Sequence, residues 1–176
     1  MIDGQDSWKL ERRQHFLEPG FASWEAFSRG DWDEALRLIK GERDYLQEFA
    51  QDNAQREVDL FRVRVVEEPL TPYLQWELHL LRLRAECGEK IRITGPEAVD
   101  ALESAGPLPE LLTLGNATTY RILYTDQGVL DGAVRFTDPG VTSRCRQFIQ
   151  DLYSAGEDLS SYFTRKVLHL PPPRAE

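Results

Sequence analysis

The chain has 176 residues, of which 41% are hydrophobic and 29% charged, and its formal net charge is −9. That length suits one domain with a real core, and the acidic balance argues against broad binding to a phosphate backbone. No run of about 18 apolar residues could cross a membrane. The start, Met1 to Trp8, is too polar for a secretory signal. Cys87 and Cys145 are far apart and match no zinc or redox spacing, so two buried free thiols and a cytoplasmic location are expected. Acid is concentrated early: residues 1–60 carry 14 acids and 8 bases, residues 61–176 carry 16 and 13.

Taken in order, residues 20–53 read as helical. Gly30-Asp31-Trp32-Asp33 supplies a break and a cap, because an aspartate oxygen accepts from free backbone N–H groups at a helix start. Trp32, Leu36, Ile39 and Leu46 then mark an apolar stripe. The pair of helices around Gly30 resembles a tetratricopeptide unit, but no copy follows at that period, which excludes a repeat protein. Gln51–Asp59 reads as a polar linker or a frayed helix end.

From Phe61 the period changes to two. Phe61–Val66 is a strand stopped at Glu67-Glu68-Pro69, Pro72 opens a helix to about Cys87, and Gly88 stops it. Lys90–Thr94 is a second strand, so strand, helix and strand make a parallel pair with a crossover. Pro96–Ser104 reads as a short helix and Glu110–Leu114 as a third strand. Thr119–Thr125 and Val129–Thr137 form a hairpin around Asp126-Gln127-Gly128. Helices over Pro139–Ala155 and Leu159–Leu168 follow, then a Pro-rich extended tail. The expected fold is an α/β sandwich on a mixed sheet (β-α-β-α-β-β-β-α) with an N-terminal helical segment. Residues 1–60 would pack as that segment on an α/β domain of residues 61–168, with 169–176 as the tail.

Two constellations stand out. Alternation opposes Arg62 and Arg64 to Phe61, Val63 and Val65, and opposes Arg92, Arg121 and Arg135 to apolar neighbours in their own strands. With registers aligned, one sheet face would bear guanidinium groups. That face would be solvated, paired with the acidic N-terminal helices through Asp33, Glu34 or Glu48, or an anion site, since planar guanidinium forks suit phosphate and carboxylate. The second lies on the Pro72–Cys87 helix, where Tyr73, Glu77 and Arg84 run down a wide apolar arc. A charge there must be paired, and Arg64 is the expected partner of Glu77; the alternative is a ligand pocket using Glu77 and Arg84. His79, on the stripe with Gln75, Arg82 and Glu86, reads as a surface residue.

No phosphate loop, nucleophile elbow, cofactor fingerprint or metal-ligand pair is present in the sequence. The stretch Arg62 to Glu77, with Ala85 to Arg92 and Leu10-Glu11-Arg12, resembles an uncharacterised actinobacterial family whose members often sit beside Xre-type helix-turn-helix regulators. The element order also resembles one half of a phospholipase D-like protein. There a His-x-Lys-x4-Asp motif stands on the hairpin, where this chain has Thr119, Arg121 and Asp126. That resemblance implies a scaffold without its nucleophilic histidine, in which Arg121 could still hold an anion.

The expected function is therefore a non-enzymatic regulatory or accessory protein with no cofactor, acting on neither nucleic acid nor membrane. Its partner would be a protein, with a helix-turn-helix regulator as the candidate. The acidic helices exposing Asp31, Asp33, Glu34, Glu42 and Asp44 would dock it. The alternative is an anion-binding protein or diverged phospholipase D-like enzyme, with Arg64, Tyr73, Glu77, Arg84, Arg92 and Arg121 as ligand-binding residues.

Overall fold

A computed structural model describes residues 4–173; residues 1–3, and residues 174–176 of the expected tail, lie outside the described part. Seven strands form one mixed sheet: β1 (Ser7–Glu11), β2 (Leu60–Val65), β3 (Lys90–Thr94), β4 (Glu110–Leu114), β5 (Thr118–Tyr124), β6 (Leu130–Phe136) and β7 (Glu157–Asp158). Their order is β6-β5-β4-β1-β2-β3-β7. β2 runs parallel to β1 and to β3, and the remaining pairs are antiparallel. The mixed α/β sheet and the parallel β2–β3 crossover are as the sequence implies.

Six helices surround it: α1 (Ala22–Ser28), α2 (Trp32–Gly41), α3 (Arg43–Gln55), α4 (Pro72–Glu86), α5 (Pro139–Ala155) and α6 (Leu159–Lys166). Their starts follow capping chemistry. Asp31, Thr71, Asp138 and Asp158 each accept from backbone N–H groups of the helix that follows, and Pro72 and Pro139 stand in first turns where no N–H is needed. α4 is capped by Cys87 and followed by Gly88, whose φ of +113° is open to glycine at little cost.

The layers stack in a definite order. α5 covers one sheet face, packing Ile149 and Leu152 on Trp8, Leu10, Val63 and Val65. The other face carries α4 and α6, with Leu74, Leu78, Leu81 and Phe163 against Ile91 and Ile93. α1 to α3 lie behind α4, where Ala26, Phe27, Ala35 and Ile39 meet Tyr73, Trp76 and Leu83. α4 is thus a middle layer, with eight of its 15 residues buried, and both neighbours remove its side chains from water.

Three expectations are corrected. β1 was not expected, yet it occupies the centre of the sheet between β4 and β2, so residues 1–60 supply a core strand as well as helices. The segment Pro96–Ser104 is not one helix but two 3-10 turns, Pro96–Ala98 and Asp100–Leu102, separated by Val99 at φ −123°. Of the two readings of Gln51–Asp59 the linker is corrected, because α3 runs on through Gln55 and buries Asn53, which makes the first part of the segment a helix end.

Candidate functional site

The charged residues of β1, β2 and α4 meet in the interior. β1 pairs Lys9 with Arg62 and Glu11 with Arg64 across the parallel ladder, and directly opposed residues share a face. Arg62 donates to Glu11 at 2.7 Å and to Glu89 at 2.7 Å. Arg64, 0% exposed, donates through Nε to Glu77 at 2.8 Å and through Nη1 to the Val65 carbonyl at 3.1 Å. Arg84 reaches Glu89 at 2.6 Å, and Lys9 reaches Glu11 at 2.5 Å. The Tyr73 hydroxyl donates to Glu18 at 2.5 Å and lies 3.3 Å from Glu77.

The expected Arg64–Glu77 pair is therefore present. The β2 arginines, Arg62 and Arg64, are met by Glu11, Glu77 and Glu89 rather than by Asp33, Glu34 or Glu48, because α4 stands between the sheet and the acidic helices.

Electrostatics follows from this packing. Burial opposes the charge on Glu11, but Arg62, Lys9 and Arg64 hold its carboxyl well below the usual range. Burial pushes Glu77 up against the pull of Arg64, with Glu11 adding repulsion. Burial likewise raises Glu18, opposed by the Tyr73 hydroxyl. Tyr73 itself is raised well above its ordinary value by burial and by Glu77.

Register divides the arginines that the sequence placed on one face. Arg62 faces Ile91 across the ladder and Arg92 faces Val63, so Arg92 lies on the α5 side, donating to the Gly156 carbonyl at 2.9 Å. Arg121 opposes Leu111 and Val134, also on the α5 side, whereas Arg135 opposes Tyr120 on the α4 side. Arg64, Tyr73 and Glu77 therefore come together, Arg84 joins them through Glu89, and Arg92 and Arg121 stand elsewhere. Nor do Thr119, Arg121 and Asp126 converge. Thr119 is 1% exposed and bonded to Thr142 of α5 at 3.1 Å, while Asp126 is exposed in the turn beyond the strand.

His79 corrects another expectation. It is not a plain surface residue but is wedged between the rings of Trp32 and Phe163, 5.4 and 4.9 Å away. Burial, with Arg82 and Lys40 nearby, lowers it to about 4. The two cysteines are free and only half-buried.

Two concavities flank the β1–α1 connection. Leu17 bridges Val129, and Gly128 sits in the β5–β6 turn at φ +91°, where a Cβ would lie 3.3 Å from the His15 carbonyl oxygen. On one side Phe16, Glu18, Phe21, Tyr73, Glu77, Arg62 and Tyr124 line about 520 Å³. On the other, Arg12, Arg13, Glu110, Arg121 and Tyr124 line about 650 Å³. Glu110 accepts from the backbone N–H of Arg12 at 3.0 Å and of Arg13 at 2.7 Å. Burial and then Glu11 raise its carboxyl to about 7.

The sequence reading missed Glu11, Glu18, Glu89, Arg13 and Glu110. The alternation Trp8-Lys9-Leu10-Glu11 was the available signal for the first; the others depend on tertiary placement. Among the described residues no group of three His, Cys, Asp or Glu could hold a metal ion, and no helix is long and apolar enough to cross a membrane.

Fold and interior define a mixed-sheet α/β domain stabilised around a buried ion network. Residues 3–164 match the domain of unknown function DUF6879, and the chain belongs to that family. No curated protein matches it.

Proposed function

We propose that the protein is a non-enzymatic accessory module that binds a basic partner protein through the outer surface of α2 and α3. One observation carries this reading: Tyr45 is 62% exposed and stacks on Phe49 at 6.4 Å. Asp44 and Glu48 flank this pair, and Asp31 and Asp33 are exposed on the neighbouring helix. An exposed tyrosine ringed by acids has the make-up of an interface anchor, with apolar area in the ring and steering in the charges. The helices are free to serve in this way because their acids are not needed by the sheet.

A helix-turn-helix regulator, basic where it meets DNA, is the candidate partner that the sequence resemblance suggests. Deleting residues 1–53 would remove β1 from the sheet, so point substitutions are the proper test. Affinity for a helix-turn-helix regulator from the same genome, measured with Tyr45→Ala and with Asp44→Lys/Glu48→Lys, should fall for both and weaken as salt rises. Affinity unchanged in both variants would refute the reading.

A further inference from the structure

We propose that the concavity beside β4 and β5 is a binding site for a small organic oxyanion, gripped by Arg13 and Arg121. Nine of the sixteen described arginines already have a carboxylate: Arg12, Arg37, Arg43, Arg62, Arg64, Arg82, Arg84, Arg146 and Arg165 all lie in ion pairs. Arg13 and Arg121 have none among the described residues, yet both line one pocket of about 650 Å³. In a chain of net charge −9, two guanidinium groups without an ion pair among the described residues, beside Arg12 in the same hollow, give it a local cationic side.

Placement of the first is fixed. The Arg13 backbone N–H donates to Glu110 at 2.7 Å, and its guanidinium lies 5.7 Å from the centroid of the Tyr124 ring, a stacking that leaves its edge donors available. Arg121 projects from the α5-side face of β5 and Tyr124 from the other face, so the two arginines line the pocket from opposite sides of the sheet end where β4 begins. The two carboxylates in the lining are otherwise engaged. Glu67 takes Arg12 at 2.6 Å, and Glu110 takes backbone N–H groups of Arg12 at 3.0 Å and Arg13 at 2.7 Å. Neither forms an ion pair with Arg13 or Arg121 among the described residues.

Pro107, Leu108, Pro109, Ile122 and Leu123 give the pocket an apolar side, and Gln14 and His15 complete the lining. Charge at one end and an apolar wall along the side describe an anion on a carbon body, in a space of the size that small-molecule sites occupy. The shared chemistry is an oxyanion group, phosphate or carboxylate, which guanidinium forks bind in the same way.

Calorimetric titration of the full chain with pyrophosphate and with citrate tests this. The proposal expects saturable binding of at least one, and whichever binds more tightly separates phosphate from carboxylate. Arg13→Gln and Arg121→Gln should each weaken it roughly 10- to 100-fold, the loss of a charge-assisted hydrogen bond. Arg135→Gln, removing another arginine without a carboxylate among the described residues but outside the pocket, should leave it unchanged. Arg121 is exposed, so its variant will fold and the test does not depend on Arg13. No saturable binding of either anion, or an equal loss in Arg135→Gln, would overturn the proposal. Because α2 and α3 line no part of this pocket, its failure would leave the partner-binding reading standing.

Discussion

Two halves of one sheet treat their arginines in opposite ways. In the β1–β2–β3 half, α4 and α5 cover both faces, and Arg62 and Arg64 are buried and matched by Glu11, Glu77 and Glu89. In the β4–β5–β6 half, Arg121 and Arg135 are exposed, and no carboxylate meets them among the described residues. The same residue type therefore does two jobs. Where water is excluded an arginine must be paired, and it fixes how a helix docks; where water remains it is free to meet something from outside.

The largest expected effect is in the covered half. Glu77→Ala or Arg64→Ala leaves the partner charge buried and should lower stability by about 3–5 kcal/mol in denaturant unfolding. The double variant should cost much less than the sum, since the two residues share one bond. Additive losses would show that the pair is not the element that docks α4.

Next comes pH. Glu110 is raised to about 7 from an ordinary 4.5, so the folded state holds a proton more readily than the unfolded state. Its contribution is fully present below pH 4.5 and is lost as pH rises to 7. The difference is on the order of 3 kcal/mol. Glu110→Gln should keep an acceptor for the backbone N–H groups of Arg12 and Arg13 and flatten that part of the stability–pH curve. An unchanged slope between pH 4.5 and 7 would remove Glu110 as its source.

A third prediction moves to the surface. Tyr45→Ala should cost about 2 kcal/mol of partner binding, roughly 30-fold, while stability shifts by no more than about 0.5 kcal/mol. A stability loss matching the binding loss would place Tyr45 in the fold rather than the interface.

Much of the covered half was legible in the sequence because its signals are local. Phe61–Val65 alternates, Thr71-Pro72 and Gly88 bracket α4, and Glu77 stands inside an apolar arc that demands a cation. β1 was less visible. Its inward-facing Lys9 and Glu11 look like surface residues until Arg62 and Lys9 are placed around Glu11. The common arginine face failed for a different reason. Alternation gives the two faces of each strand, but which faces coincide depends on pairing register, and a one-residue offset carries a side chain to the other side. Arg92 against Val63 and Arg121 against Leu111 are such offsets. His79 was misread because α4 is covered from two sides, and Trp32 and Phe163 come from elements distant in the chain.

The most direct test of this division sets Arg64→Gln beside Arg121→Gln, with unfolding free energy and pyrophosphate and citrate affinity measured on both. The account predicts that Arg64→Gln loses several kcal/mol of stability (about 3–5), whereas Arg121→Gln unfolds like the parent and loses anion binding. A stable Arg64→Gln, or an Arg121→Gln that binds both anions as the parent does, would contradict it.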